Sequence, residues 1–141
     1  MKSILTLLLL TASLKTFAHG EDKLGPNGGY LKMPAGFHTE VVPEKDGKLK
    51  VYLLDIKFKN PTVKNSKVTA SLNNGSKKDL NCIAKRDHFI CDSTKAELTK
   101  GTLNITAERS SVKASEAVYE LPLALAKSAT EMKGEDHGSH H

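Results

Sequence analysis

Along "LKVYLLDIKF" (49–58), Val51, Leu53 and Asp55 fall on one side and Tyr52, Leu54, Ile56 and Phe58 on the other. That is the two-residue period of a strand, with one strongly apolar face. "KNPT" ends it, because Pro61 has no N–H to give to a ladder. "SKVTASL" (66–72) alternates again and runs into the turn residues "NNGS". "TLNITAERS" (102–110) sets Leu103, Ile105 and Ala107 on one face, and "AVYELPL" (117–123) reads as a last strand. Upstream, "GGYLKM" and "FHTEVV" flank "PAG", which predicts a hairpin. With short strands over 79–83 and 89–92, about eight strands result, with turn signals roughly every ten residues. No helical apolar stripe precedes residue 110. The pattern predicts an all-β fold, an antiparallel β-sandwich of Ig-like architecture, although no tryptophan is present to pin an immunoglobulin-type core.

The first residues follow a different pattern. Lys2 gives a positive start, Ile4, Leu5 and Leu7 to Leu10 a short apolar run, and Thr16 and Ala18 the small residues of a cleavage site. The run falls short of the roughly 20 residues that span a bilayer. Residues 1–18 therefore read as a secretory signal peptide, removed to give a periplasmic or secreted protein with no membrane insertion after cleavage. No lipobox cysteine follows, so no lipid anchor is expected. The mature chain then divides into an N-terminal arm (19–29), the sandwich domain (30–123) and a flexible His-containing tail (124–141), in which Leu123 to Lys127 could form one helical turn.

Processing leaves 123 residues, a single domain with a core of ordinary size, and a net charge of +3. The basic residues are scattered, only two are arginines, and no aromatic residues alternate with a basic stripe. Nucleic acid is a poor partner for such a surface. No nucleophile elbow, phosphate-cradling loop or persuasive acid–base pair occurs, so the chain is not read as an enzyme.

Cys82 and Cys91 lie in "DLNCIAKRDHFICDS". A hairpin centred at Arg86 and Asp87 sets position 82 opposite 91, within reach of a disulfide. An oxidising compartment favours that bond. A two-thiolate metal site is the alternative; the eight intervening residues exclude a CxxC redox motif.

Histidine and methionine carry the remaining chemistry. Cleavage after Ala18 makes His19 residue one, with a free amine and an imidazole on the same residue. Around "MPAG", Met33 and His38 flank a four-residue turn and share a face, and Glu40, two residues on, shares it too. Methionine and imidazole both suit copper. The glycines of "GPNGG" would let the arm fold back toward this edge. The metal site expected is thus His19, Met33, His38 and Glu40, against the plainer reading of a core methionine and a surface histidine. "DHGSHH" in the tail could catch divalent metal loosely.

The stretch "HGEDKLGPNGGYLKMPAGFHTEVV…KLKVYLLD" resembles a small exported proteobacterial β-domain: His-Gly near the mature start, then Gly-Pro-x-Gly-Gly, His-x-Glu and an apolar strand ending in Leu-Asp. The resemblance covers residues 19–58 and implies periplasmic copper or heavy-metal handling, carried over to His19, Met33, His38 and Glu40. The leader, size and N-terminal histidine are also similar to those of the copper-resistance β-sandwich proteins, whose methionine-rich loop this chain lacks. The function expected is a periplasmic copper-binding protein, a carrier or a sequestration and metal-resistance factor. Its partners would be the metal ion and a metal-efflux or copper-accepting periplasmic protein. The alternative is a non-metal binding or adhesion module that docks a protein partner.

Overall fold

Residues 19–126 of the computed structural model are described, and alternation governs them throughout. The strands are β1 (His19–Gly20), β2 (Tyr30–Met33), β3 (His38–Pro43), β4 (Leu49–Leu54), β5 (Lys67–Asn73), β6 (Lys77–Leu80), β7 (Cys82–Ala84), β8 (Phe89–Cys91), β9 (Gly101–Arg109), β10 (Val112–Lys113) and β11 (Ala117–Leu121). One short 3-10 turn, Ala96–Leu98, interrupts them. Two antiparallel sheets result: β1-β2-β3-β4-β8-β7, and β10-β9-β5-β6 with β11 also on β9. Among the described residues no helix is long and apolar enough to cross a membrane. The expected signal peptide, and the tail beyond residue 126, lie outside the described residues.

The inner faces meet in one core. The first sheet contributes Val41, Leu49, Val51, Leu53 and Phe89; the second contributes Val68, Leu72, Leu103, Ile105 and Tyr119. Each such side chain, fully buried, stabilises the fold by about 1.5–3 kcal/mol. The Tyr119 hydroxyl crosses between the sheets and donates to the Thr39 carbonyl at 2.9 Å. Burial, and next the nearby Glu40 charge, push the Tyr119 phenol pKa well above its ordinary value.

Three elements differ from the sequence reading. The strand expected over 49–58 stops at Leu54. The Asp55 carboxylate accepts from the backbone N–H groups of Lys57 and Lys59, both at 2.9 Å, and folds the chain into a turn. The core face of β4 is therefore Leu49, Val51 and Leu53, not the face bearing Tyr52, Leu54, Ile56 and Phe58. The strand expected over 79–83 is two strands in two sheets: Leu80 pairs with Ala70, whereas Cys82 pairs with Cys91. The chain changes sheets at Asn81, whose carbonyl is held by the Asp92 N–H at 2.9 Å. Finally, residues 123–126 form no helical turn. They run irregularly, and the Ala126 N–H donates to the Glu21 carbonyl at 3.3 Å.

The cysteine hairpin closes where residue arithmetic put it. Lys85 N–H meets the His88 carbonyl at 2.8 Å across the turn. Cys82 and Cys91 are register partners joined by a disulfide, their Cα atoms 4.0 Å apart.

Candidate metal centre

The outer face of the first sheet, turned away from the core, carries the candidate residues. Leu31 pairs with Glu40, and Lys32 with Thr39. Continued by one step, that register sets Met33 across from His38. β1 pairs His19 with Met33, and β4 pairs His38 with Leu54. Positions 19, 33, 38 and 54 thus form one transverse row over four strands. Directly opposed residues of an antiparallel pair share a face, roughly 4.5–5.5 Å apart. The two-residue β1 is what brings the start of the arm to this row, eleven residues before β2 begins.

The rest of the arm lies over Glu40. Both oxygens of its carboxylate are engaged: Oε1 accepts from the N–H of Asn27 at 2.8 Å and of Gly29 at 2.9 Å, and Oε2 from the Asn27 side-chain amide at 2.9 Å. Glu40 is 0% exposed. A buried carboxylate is tolerable only when so satisfied. The glycines make the approach possible, since a Cβ on Gly25 would stand 2.6 Å from Glu40 Cδ, and one on Gly29 2.6 Å from the Val41 carbonyl oxygen. "GPNGG" and the Glu of "HTE" are therefore two halves of one latch.

His38, 3% exposed, is oriented from two sides. Its ring stacks on Phe58, with centroids 4.1 Å apart and planes 25° from parallel. Phe58 occupies a left-handed conformation, φ 61°, at the Asp55 turn. For a bulky residue this costs about 1–3 kcal/mol. Nδ1 of His38 lies 3.0 Å from the Asp55 carbonyl. A carbonyl only accepts, so Nδ1 carries the hydrogen, and Nε2 is turned the other way. A backbone carbonyl fixing one ring nitrogen while the other points outward is the arrangement of a ligating imidazole. Nε2 faces Glu21 Oε1 at 3.6 Å.

Met33 ends β2 with 42% exposure, beside His38 in register and open to solvent. Of the residues expected from sequence, the fold thus brings His19, Met33 and His38 into one row. Glu40 shares their face but is occupied by the arm. Glu21 is the carboxylate that faces His38, and the sequence reading missed it. The signal was present: in an extended arm, residue 21 shares a face with residue 19. His88 stands apart, its Nδ1 2.8 Å from Asp87 Oδ1 and its ring centroid 5.1 Å from that of Tyr52. The tail histidines, His137, His140 and His141, lie outside the described residues.

Among the described side chains, which begin at Glu21, no group of three or more His, Cys, Asp or Glu is clustered to hold a metal ion. A cavity of about 500 Å³ opens at the edge of the second sheet, between Thr69, Ser71, Asp79 and Asn104. No histidine or methionine lines it, and its wall includes Leu80, Asn81 and Cys82, where the chain passes from β6 to β7 in the other sheet. The chain matches no family model, and no curated protein or solved structure matches it.

Proposed function

We propose that this protein is a periplasmic copper-binding protein, a carrier or sequestering factor, whose site is built on the row His19–Met33–His38. The observation that carries the reading is the register. It sets the arm's first residue across from Met33, and Met33 beside a buried histidine whose outward nitrogen is held in place. With the leader removed after Ala18, residue 19 offers an amine as well as an imidazole. These two nitrogens and Nε2 of His38 would supply a nitrogen-rich set, and the Met33 thioether a soft donor suited to Cu(I). Glu40 has a separate part: it fastens the arm that carries His19. Copper is cargo on this reading, so no substrate groove is required, and a copper-accepting or efflux protein of the periplasm is the partner proposed.

Titration of the processed protein with Cu(II) tests this. A visible d–d band saturating at one equivalent is expected. His38→Ala should weaken Cu(II) binding by at least about tenfold, or 1.4 kcal/mol. Met33→Leu should chiefly weaken Cu(I), while His88→Ala should change little. Absence of a saturable band would reject the proposal.

A further inference from the structure

We propose that Glu21 is a ligand of the same site, sharing the ion with His38, so that the site takes a divalent first-row cation through nitrogen and carboxylate donors. The inference rests on the copper-site reading and adds a residue to it.

Nε2 of His38 and Oε1 of Glu21 are 3.6 Å apart, beyond hydrogen-bond range. His38 is buried as a residue, and among the described residues its Nε2 has no hydrogen-bond partner. A zinc-sized divalent ion sits about 2.0–2.1 Å from such donors, which places the two roughly 3.4 Å apart at a tetrahedral angle. The observed gap fits one ion with an adjustment of a few tenths of an ångström. Glu21 is also held where it stands: its N–H donates to the Leu31 carbonyl and its own carbonyl accepts from Ala126, both at 3.3 Å. No lysine or arginine among the described residues pairs with it. Its side chain is 31% exposed, open enough for an ion to enter. Glu40 cannot serve in its place without releasing three hydrogen bonds to the arm. A hard oxygen donor favours the divalent state, and Met33 the soft monovalent one.

Affinities of processed wild type, Glu21→Gln and Glu21→His for Cu(II) and for Cu(I) should be measured against competing chelators. Glu21→Gln is expected to lose at least about tenfold in Cu(II) affinity, or 1.4 kcal/mol, and less than about threefold in Cu(I) affinity. Glu21→His restores a donor and should keep Cu(II) affinity within about threefold of wild type, with a shifted d–d band. If Glu21 only balanced the charge of His38, Glu21→His would fall as far as Glu21→Gln, which would overturn the assignment. Equal Cu(II) affinity of wild type and Glu21→Gln would overturn it too, while leaving the copper-site reading intact. A wild type that binds no copper would remove both.

Discussion

The backbone N–H of Gly29 donates to the Glu40 carboxylate at 2.9 Å, in a contact so close that residue 29 has no room for a side chain. A Cβ there would lie 2.6 Å from both the Val41 carbonyl oxygen and Val42 Cγ2. Gly29→Ala should therefore destabilise the protein by about 1–3 kcal/mol, the usual cost of overpacking. Gly28 has φ +76° and nothing within 4 Å of the Cβ position. Gly28→Asn, a residue that tolerates this conformation, should cost no more than about 1 kcal/mol. Urea unfolding of the two variants checks the contrast.

Glu40→Gln replaces one carboxylate oxygen by a donor among three donors. A loss of about 1–3 kcal/mol is expected, from the charge-assisted bonds and an unsatisfied buried group. Amide hydrogen exchange should quicken at Asn27 and Gly29 well before it does at Val51 or Leu53. Uniform protection in the variant would show that the arm does not depend on Glu40.

Thr39 presents the opposite case. Its Oγ1 is buried with no hydrogen-bond partner, although its carbonyl is held by Tyr119. Thr39→Val removes an unsatisfied hydroxyl at nearly constant volume, so stability should hold or rise by up to about 1 kcal/mol. A loss greater than that in denaturant unfolding would mean the hydroxyl is partnered in solution.

The Asp55 turn, which positions both His38 and Phe58, should be acid-labile. The N–H of Lys59 foremost, joined by the Asn60 side chain, the Lys57 N–H and the Arg109 charge, holds the Asp55 pKa below its ordinary value, against an opposing effect of burial second only to that of Lys59. A depressed folded-state pKa contributes stability that is present above the unfolded value, about 3.9, and is lost as pH falls through the folded one. The difference in Tm between wild type and Asp55→Asn should therefore be constant above about pH 5 and shrink toward pH 3. A difference that stayed constant over that range would sink the argument.

Much of the sandwich is legible in the chain because one-sided burial imposes a two-residue period. Val68, Ala70 and Leu72, like Leu103, Ile105 and Ala107, alternate in sequence and face the core in the structure. The Cys82–Cys91 pairing was readable from the position of one turn. Alternation does not say which face of β4 meets the core, because Leu54 is also buried, on the outer side. Nor does it show a change of sheet at Asn81, where periodicity continues while the partner strand changes. At the site, the common face of Met33, His38 and Glu40 followed from spacing. The roles of the two carboxylates did not. Glu40 is satisfied by donors 11 and 13 residues away, and Glu21 reaches His38 only because the arm returns as a strand.

The disulfide supplies a separate check on the fold. The loop it closes is short, so reduction should lower stability by about 3 kcal/mol or less. The outer-face row involves neither cysteine, so copper affinity should survive reduction at temperatures where the protein stays folded. Loss of binding from folded, reduced protein would place the cysteines in the site.

Residue 19 is proposed to hold copper through its amine as well as its ring. One alanine placed ahead of His19 moves the charged amine off that residue and keeps the imidazole. Cu(II) affinity should be measured for processed and extended protein under the same competing chelator, from pH 8 down to 6. Binding by the extended chain is expected to be at least about tenfold weaker, or 1.4 kcal/mol. Affinity of the processed chain should also fall as pH falls, because protons compete at an amine of ordinary pKa about 8. Equal affinities of the two chains would rule out the amine as a ligand and leave His19 an ordinary surface histidine.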